Sequence, residues 1–254
     1  MALDHHDTLE FRNARFTGVD LSGATFRDCS LRDVKIVDSD LTDLAVSGVV
    51  ARVRVNDVDV TDYVEAELDR RIPERVQVRA MRTAEEYRAA WVTIEQRWAQ
   101  TISRAERLPE PLRHDRVDDE WSLVETLRHL VFATDAWVLR AVLDAPAPYD
   151  RIGLTQPGYP AEQAAAIGLD LAVDPSYAKT IRVRGDRQTR VRELLDRLRD
   201  DDLDRTTNCP PAPGYPAQER TVGYCLRVVM NEECAHRGYA ERDLAMLEDQ
   251  HDPH

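Results

Sequence analysis

The sequence predicts a mainly α-helical protein: a four-helix bundle preceded by a short stack of repeated coils. Three observations carry this expectation. Apolar residues recur at every fifth position from Phe11 to Val46. From Thr83 onward the apolar spacing becomes that of amphipathic helices. Two Ser/Thr-x-x-Glu boxes, Thr83–Glu86 and Ser122–Glu125, mark helix starts.

The five-residue ladder consists of Phe11, Phe16, Leu21, Phe26, Leu31, Ile36, Leu41 and Val46, without a slip. A second small or apolar residue often precedes a ladder position by two, as with Ala14, Val19, Ala24, Cys29, Val34 and Leu44. A period of five fits neither the 3.6 of a helix nor the 2 of a strand. Stacked repeats that share a continuous core are the general solution for such a pattern. The stretch resembles the pentapeptide-repeat family, which implies a short right-handed quadrilateral β-helix. At four pentads per coil it would have about two coils, with the ladder pointing inward. End coils lack a stacking neighbour, so this segment is expected to lean on the rest of the chain, as a packing cap or dimerisation element.

Residues 52–60 alternate like a hairpin with Asn56-Asp57 at its turn, and a short helix is expected over Thr61–Arg71, ended by Pro73. The expected organisation is a repeat segment at 1–52, a connecting hairpin and helix at 53–82, and the bundle at 83–254. Its four helices are placed at about Thr83–Arg107, Ser122–Leu143, Ser176–Arg199 and Thr221–Leu247. The connection over 144–175 is long enough to run back along the bundle, so helices two and three are expected to be parallel. Pro-Gly-Tyr-Pro occurs in this connection (157–160) and again in the next (213–216). Loops of this length in a compact domain are functional or disordered, and their tyrosines and prolines point to ordered packing.

The net charge of −13 disfavours nonspecific attraction to nucleic acid or an anionic membrane. Only Lys35 and Lys179 are lysines, so arginine supplies nearly all the positive charge, a bias expected of a GC-rich, actinobacterial source. No apolar run is long enough for a membrane span, and the opening residues lack a signal-peptide core, so a cytoplasmic protein is expected. Cys29, Cys209, Cys225 and Cys234 have unrelated spacings and make neither a disulfide frame nor a CxxC pair.

Position sorts the seven histidines. His5, His6, His251 and His254 fall in the tails, and His114 in a charged connection. Only His129 and His236 fall within predicted bundle helices. Glu232 precedes His236 by four residues and Glu125 precedes His129 by four, which puts each pair on one helix face. Two imidazoles and a carboxylate suit a divalent transition metal, with positions left open for water or substrate. Each Glu-x-x-x-His is also an ordinary solvated or salt-bridged pair, and Glu125 already belongs to a capping box.

The stretch from Glu120-Trp121 through Glu125 to His129-Leu130, and the stretch from Asn231-Glu232-Glu233 through His236 to Arg242-Asp243-Leu244, resemble the two metal-bearing helices of the DinB superfamily. The resemblance implies a DinB-like four-helix bundle with a three-ligand metal site, usually of three histidines. Matched residue by residue, His129 is the first ligand and His236 the last, with Glu232 where the family usually has histidine. The carboxylate leaves Ni, Mn and Fe open beside Zn. The superfamily includes transferases and isomerases that use a low-molecular-weight thiol, mycothiol in actinobacteria, with a small electrophile. On that reading Glu125 or Glu233 would be the proton acceptor, and Tyr239 and Arg242 would touch the substrate. The partners would be the small-molecule thiol and its electrophile, with no nucleic acid and no membrane, and a homodimer is open. The alternative is a non-catalytic metal- or small-ligand-binding protein with a vestigial site. Pentapeptide-repeat proteins can also imitate DNA, but Arg12, Arg15, Arg27, Arg32 and Lys35 nearly balance Asp20, Asp28, Asp33, Asp38, Asp40 and Asp43. A nearly neutral surface argues against mimicry.

Overall fold

The computed structural model describes residues 4–5, 8–27, 29–48 and 50–251. His6, Asp28 and His254 lie outside the described residues. The chain divides into two compact units, Met1–Val46 and Ser47–His254. The expected connecting segment therefore belongs to the same unit as the bundle.

In the first unit the chain turns every five residues, and the cause is local. Asn13, Gly18, Gly23, Asp33, Asp38, Asp43 and Gly48 all have positive φ. Each lies two residues after a ladder position, and Asn, Asp and Gly are the residues that adopt this conformation at least cost. Alternate corners close a hydrogen-bonded turn, as from Ala14 N–H to the Phe11 carbonyl (3.0 Å) and from Ala24 N–H to the Leu21 carbonyl (2.9 Å). Asp20 and Asp40, twenty residues apart, accept from the backbone N–H and hydroxyl of Ser22 and Thr42 respectively. Two details differ from the expectation. No strand forms among the described residues of this unit, and the ladder is not buried: Phe11 is 44% exposed and Phe26 60%. Eight repeats are few, so most ladder side chains have no neighbouring layer to cover them.

In the second unit, strands β1 (Arg54–Val55) and β2 (Val58–Asp59) pair antiparallel around Asn56-Asp57, both at positive φ as a tight hairpin turn requires. Helix α1 spans Thr61–Arg71 and α2 spans Glu74–Ala80. The bundle comprises α3 (Ala84–Ala105), α4 (Leu123–Thr134), α6 (Tyr177–Arg197) and α8 (Val222–His251). The short helices α5 (Ala161–Ala166) and α7 (Asp200–Leu203) lie in the connections, and strands β3 (Thr206–Thr207) and β4 (Arg220–Thr221) pair just before α8. Both capping boxes form, with Glu86 and Glu125 each accepting from the N-cap backbone N–H.

Side-chain pairs give the helix directions. Val131 packs with Val183, and Asp135 bonds Arg187, so α4 and α6 run in the same direction. Tyr87 reaches Gly223, and Thr101 reaches Glu241, so α3 and α8 are also parallel. Residues 141–176 form the crossover that the first pair requires. Tyr159 and Tyr149 donate to the Pro213 and Pro211 carbonyls (2.7 and 2.6 Å), and Tyr215 to Gln156 Oε1 (3.3 Å), which ties the two proline-rich connections together. Trp91, Trp98, Leu127, Leu226 and Leu244 lie in the main core.

Helix α4 passes into a π-helical turn at Asp135–Arg140, where Ala141 N–H bonds the Ala136 carbonyl five residues back. The fully buried Asp135 accepts from Arg187 Nε (2.5 Å) and from Asp150 N–H (2.8 Å), pinning the crossover to the bundle. Burial pushes its carboxyl up to about 6 against the opposing pull of Arg187.

Candidate metal centre

One turn of α8 and the middle of α4 build the site. The four-residue spacing places Glu232 and His236 on one face of α8, and His129 meets them from α4. Glu232 Oε2 lies 3.4 Å from His129 Nε2 and 3.2 Å from His236 Nε2. These separations match the ~3.3 Å edge of a tetrahedron built on ~2.0–2.1 Å bonds to nitrogen and oxygen.

The backbone sets the proton on His129. Its Nδ1 lies 3.0 Å from the Leu154 carbonyl, which can only accept, so Nδ1 carries the hydrogen. Nε2 therefore faces Glu232 either as an imidazolium N–H or as a lone pair that needs a cation beside it. An imidazole held by a carbonyl on its far side is the usual support for a metal-ligating histidine. Burial alone would raise the Glu232 carboxyl, but the bonds from His129 and His236 outweigh it and hold it down at about 2. The residues thus fit a divalent transition metal.

Aromatic rings enclose the trio. Trp121 stacks on the His236 ring (5.9 Å between centroids, 24° between planes) and lies 4.8 Å from His129. This half-buried tryptophan covers both imidazoles on one side. Tyr239 meets His236 edge-on at 5.5 Å and is 40% exposed, so it stands at the rim. Arg242 sits over the Tyr239 ring and bonds Asp243 and Glu120 (2.7 Å each), with its charge already paired.

The expected proton acceptors lie elsewhere. Both Glu233 oxygens accept from Arg184 (3.1 and 2.6 Å), and the pair is buried against the face of Trp98. The adjacent position on a helix points about 100° away from Glu232, which turns Glu233 into the core. Both Glu125 oxygens bond Arg116 (2.8 and 2.5 Å), and one also closes the capping box. The structure brings neither carboxylate to the trio. His114 contacts Asp174 (3.2 Å), and Cys225 and Cys234 are buried.

A parallel-paired helical bundle with an inward-facing histidine–carboxylate trio defines the class. Residues 93–240 match the DinB superfamily, and the chain belongs to it. Residues 10–43 match pentapeptide repeats in eight copies. A crystal structure of a protein from Streptococcus pneumoniae is similar over 67% of this chain and 92% of that one, with 15% identity and a TM-score of 0.44. Comparison with the curated proteins finds no significant match. No helix among the described residues is long and apolar enough to cross a membrane.

Proposed function

We propose that this chain is a metal-dependent DinB-class enzyme, a transferase or isomerase that uses a low-molecular-weight thiol such as mycothiol and a small electrophile. The observation that supports it is the convergence of His129, Glu232 and His236, with His129 oriented by the Leu154 carbonyl. A divalent ion held there would lower the pKa of a bound thiol and favour the thiolate. The chain's own residues would do the rest. Glu232 supplies negative charge that stays ionised at any physiological pH. Trp121 shields the two imidazoles on one side, and Tyr239, exposed at the rim, would meet an entering substrate.

One observation favours a second reading, a metal- or ligand-binding protein without turnover. Glu125 and Glu233 are tied to arginines, so the trio lacks the separate base expected of them. Metal analysis of protein purified without a histidine tag separates these readings from a vestigial site, which would hold none. With zinc, nickel, manganese or iron bound at one equivalent, His236→Ala should abolish retention, while Glu232→His should keep it and shift preference toward zinc. Loaded protein is then assayed for metal-dependent consumption of thiol with an electrophile. Metal without consumption selects the second reading.

A further inference from the structure

A cavity lies against another face of α8. Arg227, Asn231 and Cys234 follow one another at four and three residues and so share a face, well away from that of Glu232 and His236. With Arg75, Arg79 and Arg82 from α2 and its C-terminal end they line an open cavity of about 720 Å³, a size that holds a small-molecule ligand.

The charges do not cancel there. Arg75 bonds Glu65 (2.9 Å) and lies 3.6 Å from Asp69, while Arg79 bonds Asp69, so two acids answer two arginines. Among the described residues, the guanidinium groups of Arg82 and Arg227 bond no carboxylate, although Glu86 accepts from the Arg82 backbone N–H (2.6 Å) and lies within electrostatic reach of its charge. Arg227 donates to the Val78 and Met81 carbonyls and to the Tyr87 hydroxyl. Arg82 gives one nitrogen, Nη1, to the Arg79 and Met81 carbonyls, and its Nε and Nη2 carry no hydrogen bond. Arg75 Nη1 is buried without a hydrogen-bond partner. Capping the end of α2 explains Arg227, and the facing Asp69 Oδ1 accounts for Arg75 Nη1, which leaves Arg82, exposed at the cavity, with two nitrogens open to a ligand.

We propose that this arginine-lined cavity binds a small molecule through a phosphoryl or carboxylate group. Guanidinium forks match both oxyanions. In a chain of net charge −13 such an anion is repelled by the protein as a whole, so its binding depends on this local cluster. The site is independent of the metal reading, since it shares no residue with the trio.

The test titrates the full chain with pyrophosphate, inorganic phosphate and citrate by calorimetry at matched ionic strength. Saturable binding at one equivalent is expected, weakened about tenfold or more by Arg82→Ala and by added salt. Arg82→Ala leaves Arg227 in place to hold the Met81 carbonyl, so this variant should fold. Binding should persist in His236→Ala, which lacks the metal ligand. Tighter pyrophosphate than citrate assigns a phosphoryl ligand, and the reverse a carboxylate. The proposal is overturned if none of the three anions saturates, if Arg82→Ala binds as well as the parent chain, or if His236→Ala abolishes binding.

Discussion

The two units both carry an unbroken apolar period, and only one of them buries it. In the bundle, Trp91 and Trp98 are each 1% exposed on one stripe of α3, because α6 and α8 pack against that helix. In the repeat unit the period-five ladder is as regular, yet Leu31 remains 53% exposed. Periodicity specifies the path of the backbone, here a corner every five residues set by Asn, Asp and Gly. Burial needs a neighbouring layer, and a run of only eight repeats has few to offer.

The largest effect should come from the bundle's buried charge. Arg184→Met leaves Glu233 without a partner at 1% exposure and should cost about 3–5 kcal/mol in a denaturant titration. A loss under about 1 kcal/mol would mean that Glu233 finds water or another donor. Leu127→Ala, at a fully buried position, should cost about 2–5 kcal/mol. Leu31→Ala should cost less than about 1 kcal/mol, because half of its side chain is already in water. Hydrogen exchange over residues 29–48 checks the Leu31 value, and equal losses at Leu127 and Leu31 would erase the contrast between the units.

A pH-dependent effect comes from Asp135. Its folded carboxyl sits at about 6, above the ordinary value of 3.8, so between these pH values the folded chain holds more protons than the unfolded one. Its contribution is therefore fully present at low pH and is lost as pH rises through about 6, by about 3 kcal/mol at most. The stability advantage of the parent over Asp135→Asn should shrink between pH 4 and pH 7. A difference that stays level or grows would show that Arg187 keeps the carboxylate charged throughout.

Much of the fold was legible because its signals are local. Thr83–Glu86 and Ser122–Glu125 placed two helix starts within a residue, since a capping box satisfies orphan N–H groups wherever it occurs. Asn56-Asp57 located the hairpin for a similar reason. The π-helical turn was not legible, because Asp135 takes its partners from residue 150 and from α6. Helix α2 follows directly on Pro73, which ends α1 and also opens the next helix, as proline at a helix N-terminus does.

The site divides the same way. From sequence alone came the trio, since i,i+4 spacing on α8 is a property of one helix and the matched stretch on α4 supplied the third member. The sequence also determined the corners of the repeat unit, through residues that tolerate positive φ. Tertiary structure alone decided that Leu154 orients His129, that Trp121 covers the imidazoles, and that Glu125 and Glu233 serve arginines rather than chemistry. It also decided that the repeat ladder stays in water. Each of these depends on a partner distant in sequence or on a missing layer, and spacing along a chain carries no information about what will arrive from elsewhere to meet a side chain.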